Sequence, residues 1–150
     1  MVSKKSGKAG KESKQKAVKV VLTVGKRKRA LARAKFEPGK GVIKINKTPL
    51  NLMGNEIARM KISEPLMLVG DEWKRFDISL SVNGGGIMGQ ADAARQAVAK
   101  GLSQLLGAET KKKFMDYDKY MLVADSRRTE PHKSPRSSQG PRRYKQRSKR

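Results

Sequence analysis

The chain has 150 residues, with 36 Lys+Arg against 13 Asp+Glu, a formal net charge of +23 with its one His neutral. That length suits one domain with a single core, and so dense a positive charge points to a polyanion, nucleic acid above all, rather than to acidic small substrates. Zero Cys removes disulfide scaffolds, thiolate metal sites, iron–sulfur clusters and cysteine nucleophiles together. The longest apolar run, residues 66–69, is too short for a membrane span or a signal-peptide core, so the chain reads as cytoplasmic.

In chain order, residues 1–16 hold six Lys against Glu12 and almost no apolar groups, which predicts a basic tail that is disordered until bound. Residues 17–125 carry the periodicity of a fold. Val18, Val20, Leu22 and Val24 alternate with Lys19 and Thr23, predicting a strand with those valines and the leucine inward. From Lys26 to Phe36, alternation puts Ala30, Ala32, Ala34 and Phe36 on one face and Arg27, Arg29, Arg33 and Lys35 on the other. Residues 37–41 are turn chemistry, and Ile43 and Ile45 return as a third strand, as in an antiparallel meander. Ser63-Glu64-Pro65 reads as a helix start and Gly70 as its stop. Phe76, Ile78, Leu80 and Val82 alternate cleanly with polar residues, giving a fourth strand that leads into Gly84-Gly85-Gly86. Ala91, Ala94, Val98, Leu102 and Leu105 recur at helical spacing until Gly107. A last short helix is expected in residues 111–123, docked by Phe114, Tyr117, Met121 and Leu122. Residues 126–150 hold 10 basic residues against Glu130, with three Pro and five Ser, the composition of an extended arm. Such an arm reaches on the order of 80 Å when fully extended.

Three groups of residues bear on chemistry. Gly84-x-Gly86-x-x-Gly89 matches the dinucleotide fingerprint, but the strand before it alternates as a half-buried strand does, and no acidic residue follows a second strand. Gln90-Ala91 stands where a phosphate-binding loop needs Lys-Ser/Thr, so nucleotide hydrolysis is not supported. What remains is either a tight turn or a set of backbone N–H groups at a helix N-terminus that attract a phosphate. Second, Lys26, Arg27, Lys28, Arg29, Arg33 and Lys35 place six cations in ten residues with no acid before Glu37, which predicts a phosphate-binding strip unscreened by internal ion pairs. Third, no metal or nucleophile site assembles, because His132 is alone in the arm and Asp116-x-Asp118 lacks further ligands. Trp73, Phe36 and Phe76 read as core or rim, whereas Tyr144, among Arg142, Arg143, Lys145 and Arg147, is placed to stack on an RNA base.

Several stretches together resemble the small-subunit ribosomal protein S-nine family: residues 23–34 (TVGKRKRALARA), 38–46 (PGKGVIKIN), 82–86 (VNGGG) with 89–93 (GQADA), 125–128 (DSRR), and the terminal RSKR. The resemblance covers about residues 18–150. It implies a body folded like the second domain of ribosomal protein S-five, with a left-handed βαβ crossover that ordinary connection rules disfavour. It also implies a place in the head of the small subunit, with the arm threading toward the peptidyl site. By motif position, Arg147, Lys149 and Arg150 would then touch the backbone of peptidyl-site tRNA. Residues 51–63 and 129–132 look closer to archaeal or eukaryotic members than to bacterial ones.

The expected architecture is therefore α+β, a two-layer sandwich of a mostly antiparallel four-stranded sheet with helices on one face and basic tails at both ends. The expected rRNA-binding residues are Lys26, Arg27, Lys28, Arg29, Arg33, Lys35, Gly84, Gly85, Gly86, Gln90, Arg127, Arg128, Lys133, Arg136, Arg142, Arg143, Tyr144 and Lys145. The partners are small-subunit ribosomal RNA of the 16S type, peptidyl-site tRNA and neighbouring head proteins, with no cofactor, membrane or small-molecule substrate. A free nucleic-acid-compacting protein of chromatin type is the competing reading, weakened by cations gathered at the end of a one-sided arm.

Overall fold

Two long antiparallel strands, β2 (Ala30–Pro38) and β5 (Phe76–Asn83), form the centre of the sheet in the computed structural model, which describes residues 20–128. Their strict alternation sends Ala30, Ala32, Ala34, Phe36, Ile78, Leu80 and Val82 to one buried face, as expected. The remaining strands are β1 (Val21–Arg27), β3 (Ile43–Ile45) and β4 (Thr48–Pro49), and the sheet order is β1-β2-β5-β3-β4. The sheet thus has five strands rather than four. It is also mixed, because β3 pairs parallel with β5 across a crossover formed by α1 (Glu56–Val69). Two further helices, α2 (Ile87–Leu106) and α3 (Ala108–Tyr117), complete a helical layer on the buried face.

The expected strand over residues 26–36 is divided. Lys26 and Arg27 end β1, Lys28 and Arg29 make a two-residue turn, and β2 begins at Ala30, opposite Arg27. The expected inner face of β1 is also reversed. Thr23 and Gly25 are buried, while Leu22 is 72% exposed and Val20 and Val24 41% each; Val18 lies outside the described residues. Helix packing explains the reversal. A Cβ on Gly25 would stand 2.0 Å from the Ala93 carbonyl oxygen, so α2 lies too close for an aliphatic side chain there. Thr23 Oγ1 donates to the Ala97 carbonyl at 2.7 Å, which satisfies the buried hydroxyl. The outer edge of β1 is closed by α2 as well: the Lys26 N–H donates to Gln96 Oε1 at 2.9 Å, and Lys100 Nζ donates to the Val24 carbonyl at 3.2 Å. Burial, and secondarily the charge of Lys26, push the Lys100 ammonium pKa down.

Helix α1 starts seven residues before the expected Ser63, counting from Glu56. Asn55 is its N-cap, accepting from the Ala58 N–H at 3.0 Å, and Pro65 sits inside the helix rather than in its first turn. Burial of Ala58, Ile62, Pro65 and Leu66 carries the helix through the proline, and Ser63 Oγ donates back to the Arg59 carbonyl at 3.0 Å. Gly70 and Gly107 end α1 and α2 at the positions the sequence indicates. In the last helical region Phe114 and Met121 are buried and Leu122 packs partly, but Tyr117 faces out at 56% exposure. Trp73 and Phe76 pack against the rim of the core.

Candidate nucleic-acid interface

The basic run at 26–35 divides into three environments. Lys28 and Arg29 form the tip of the β1–β2 turn. Lys26, Arg33 and Lys35 stand on the sheet face away from the helices. Arg27 turns to the other side, where it pairs with Asp125 and approaches Asp92 at 3.8 Å. Lys35 in turn meets Glu37 at 2.7 Å. The expectation that no internal ion pair screens this run is therefore corrected, because Asp92 and Asp125 come from distant parts of the chain.

The open face also gathers residues that the sequence reading passed over. Pairing registers align Leu22, Lys35, Ser79 and Lys44 in one row, Val24, Arg33 and Ser81 in the next, and Lys26, Leu31 and Asn83 in a third. Lys47 joins them from the β3–β4 turn, where Asn46 and Lys47 both have positive φ, the pattern of a type I′ hairpin. Asn46 locks that turn to β5: its Nδ2 donates to the Val82 carbonyl at 3.1 Å and its Oδ1 accepts from the Val82 N–H at 2.9 Å. At the far end of the face, Asp77 is spent on the β2–β3 connection, accepting from the N–H groups of Lys40 and Val42 at 2.9 Å each. The Val42 bond is the leading cause of a carboxyl held below its ordinary pKa.

Lys28 and Lys47, with φ of +53° and +73°, both occupy left-handed positions that glycine takes more cheaply. Strain kept at the tips of two hairpins, each presenting a cation, fits a contact role. Lys28→Gly and Lys47→Gly are expected to gain about 0.5 kcal/mol each in urea unfolding, since relieved strain outweighs unfolded-state entropy. Both are expected to lower RNA affinity in a filter-binding titration. Loss of stability in both variants would contradict this account.

The glycine loop abuts the β1–β2 tip. Gly84 and Gly85 have φ of +72° and +69°, and a Cβ on Gly84 would stand 2.6 Å from the Arg29 carbonyl oxygen. Gln90 Nε2 donates to the Gly84 carbonyl at 3.1 Å, closing the turn. The first two glycines therefore serve the tight turn and the close approach. Gly86 differs: it N-caps the 20-residue α2, and no atom lies within 4 Å of where its Cβ would be. The first amides of α2 and the cations of the tip thus share one end of the molecule, a combination that suits a phosphate.

Asp125 directly precedes the basic C-terminal residues 126–150. Its side chain is only 8% exposed, and it holds Arg27 from β1 together with Arg127, whose Nη2 stands at 2.6 Å and whose backbone N–H donates at 2.8 Å. Hydrogen bonds from Arg127, then the charge of Arg27, keep the Asp125 carboxyl well below the usual carboxylate range. Neighbouring pairs extend this network across α1, α2 and the residue that caps α3: Arg95 with Glu64 at 2.6 Å and Asp118 at 2.8 Å, and Lys61 with Asp92 at 2.8 Å. Sequence reasoning missed Asp92 and Asp125 as site residues. The available signal was that Asp125 is the one acid between Asp118 and Glu130, directly before an Arg-Arg pair. Arg128 is exposed beside it, whereas Lys133, Arg136, Arg142, Arg143, Tyr144, Lys145, Arg147, Lys149 and Arg150 lie outside the described residues, as do residues 1–16.

Comparison with known proteins converges on one family. The family described as ribosomal protein S9/S16 matches residues 25–150, which include the open face apart from Leu22 and Val24 and the basic C-terminal residues. The small ribosomal subunit protein uS9 of Methanococcus maripaludis (strain C7) is 48% identical over 132 residues, covering 87% of this chain and 98% of the relative. That of Methanococcus vannielii is also 48% identical over 132 residues, with the same coverage. With a family match across more than four-fifths of its length and archaeal relatives aligned almost end to end, this basic two-layer α+β chain belongs to the ribosomal protein S9 family, in its archaeal-like form.

Proposed function

We propose that the protein is a structural, non-catalytic constituent of the archaeal small ribosomal subunit, working in the cytoplasm on the ribosome. Residues 17–125 form an RNA-fastening body, residues 1–16 a basic tail, and residues 126–150 an arm that carries cations to tRNA in the peptidyl site. The observation that carries the reading is the joint match of body and arm to one ribosomal family over residues 25–150. Geometry supports it through the cationic open face, the turn tip beside the α2 N-terminus, and an arm whose root is pinned to the body by Asp125. Contacts to the 16S-type RNA of the head fall in this reading to Lys26, Lys28, Arg29, Arg33 and Lys35, with neighbouring head proteins alongside. Family membership also supports the left-handed β3–α1–β5 crossover and the kinship with ribosomal protein S-five. A chromatin-type role is not favoured, because the relatives are ribosomal proteins.

Removing residues 147–150 tests the arm. Four residues with three cations are a small share of the total charge of +23, so incorporation into subunits is expected to be unchanged. Affinity for tRNA in the peptidyl site is expected to fall severalfold and to lose part of its salt dependence. Particles that bind tRNA as tightly as the parent would refute the assignment.

A further inference from the structure

The open face of the sheet combines three kinds of group in register. Its aliphatics, Leu22 and Val24, are exposed at 72% and 41%. Its hydroxyls, Ser79 and Ser81, are exposed on β5. Its cations flank them: Lys35 on β2 and Lys44 on β3 stand either side of Ser79, two strand spacings or about 10 Å apart. All of these except Val24 line a shallow groove of about 630 Å³, and Val24 stands beside it opposite Arg33. Of the two acids at its edge, Asp77 is held by backbone amides, and Glu37 pairs with Lys35 in an exposed ion pair that a phosphate would have to displace.

Equally informative is what this face lacks. None of the six aromatic side chains among the described residues lies in its rows: Phe36 and Phe114 are buried, Trp73 and Phe76 pack against the core, and Tyr117 and Tyr120 sit beyond the sheet on α3 and the turn after it. Sheets that read unpaired RNA do so by stacking splayed bases on aromatic rings, and nothing here supplies that platform. Aliphatic side chains pack on ribose, hydroxyls exchange hydrogen bonds with 2′-OH groups, and cations two strands apart reach the phosphates on either side. A surface that offers all three matches the wide, shallow minor groove of A-form RNA. The minor groove of undistorted B-DNA is about 6 Å wide, too narrow for a sheet face unless the duplex is opened, and carries no 2′-OH.

We propose that the open face of the sheet docks onto the minor groove of a double-helical RNA segment, with Leu22 and Val24 against riboses, Ser79 and Ser81 over the groove floor, and Lys35, Arg33 and Lys44 on the phosphate walls. This rests on the reading of the chain as a ribosomal RNA-binding protein and selects among the forms of RNA.

The test uses the full chain and a charge-neutral double variant, Leu22→Asn/Val24→Asn. Both side chains are exposed, so the core is untouched, and the unchanged tails contribute equally to parent and variant. Three probes of equal length are titrated at fixed salt: an RNA duplex, a DNA duplex and an unpaired uridine RNA. The expected result is a severalfold loss of affinity for the RNA duplex with the other two affinities unchanged. Equal loss on all three probes, or no loss on any, would overturn the proposal. Co-sedimentation of the same variant with small subunits is a separate measurement, and failure of the parent chain to co-sediment would instead remove the ribosomal reading.

Discussion

Replacing Gly25 by alanine is expected to cost more than about 4 kcal/mol, a large fraction of a typical total of about 5–15 kcal/mol. The added Cβ would stand 2.0 Å from the Ala93 oxygen and 2.7 Å from the Ala97 nitrogen. Both are backbone atoms of α2, so no rotamer change relieves the clash, and α2 must lift from β1 as a unit. That movement also breaks the Thr23 hydroxyl bond to Ala97 at 2.7 Å and the Lys26 amide bond to Gln96 at 2.9 Å. Two comparisons separate this effect from a generic glycine substitution. Gly101→Ala meets the Phe36 ring at 2.0 Å, a side chain that can shift, and should cost about 1–3 kcal/mol. Gly54→Ala meets nothing within 4 Å and should lie within about 0.5 kcal/mol of the parent. Urea unfolding of the three variants gives the ranking directly. A Gly25→Ala protein within about 1 kcal/mol of the parent would show that the β1–α2 contact is not as close as described.

The same contact explains what was hidden in the sequence. Alternation gave the inner faces of β2 and β5 because their inner residues are apolar and most of their outer ones polar, although it ran β2 back through the turn to Lys26. In β1 the pattern is inverted: the inner face carries Thr23 and Gly25, chosen for closeness to a helix, while Leu22 and Val24 stand outside. Periodicity ranks residues by hydrophobicity and has no access to how near a neighbouring helix lies. Helix α1 misled for a different reason. Ser63-Glu64-Pro65 carries every local sign of a helix start, yet the buried contacts of Ala58 and Ile62 extend the helix a further two turns upstream. The parallel pairing of β3 with β5 joins strands more than 30 residues apart through three-residue contact, which no local signal encodes.

Candidate contact residues divide along the same line. That a basic surface exists, and that it includes Arg33 and Lys35, was legible from composition and alternation. That Arg27 is spent on Asp92 and Asp125 was not, since ion pairs across the chain appear only once α2 and the arm root are folded beside β1. Conversely, Lys44 looked like an ordinary surface lysine until the register set it in line with Lys35 and Ser79, and Lys47 joins the same groove from the β3–β4 turn.

Asp125→Ala is expected to free the root of the arm while the body stays folded. In the parent, Asp125 is nearly enclosed and tied to two guanidiniums and to the Arg127 N–H. Without the carboxylate, Arg27 remains partly buried beside Asp92 alone, and nothing in the described chain replaces the bonds to Arg127. Amide exchange at Arg127 should approach that of an unfolded segment, whereas exchange in β2 and β5 should stay slow. Arg27→Ala removes the tie to β1 but leaves the Asp125 bonds to Arg127, so it should produce a smaller release, and the double variant should release no more than Asp125→Ala alone. Asp125→Asn separates charge from shape: it keeps the side-chain volume and should still loosen the root. The pH dependence follows from the depressed carboxyl pKa. A carboxylate titrating lower in the folded chain than its ordinary value of about 3.9 contributes stability that is full above that value. The contribution is lost as the pH falls through the folded value. Root protection in the parent should therefore hold above about pH 5 and fade in stronger acid, while the Asn variant shows no such fading, leaving Asp77 to supply its share of the acid slope from the β2–β3 connection. On assembled subunits, the proposed role of residues 147–150 predicts that peptidyl-site tRNA affinity drops in Asp125→Ala even with those residues intact, because the tie that precedes them in the chain is lost. Native exchange at Arg127 in that variant would show instead that the segment is held by something other than the Asp125 carboxylate.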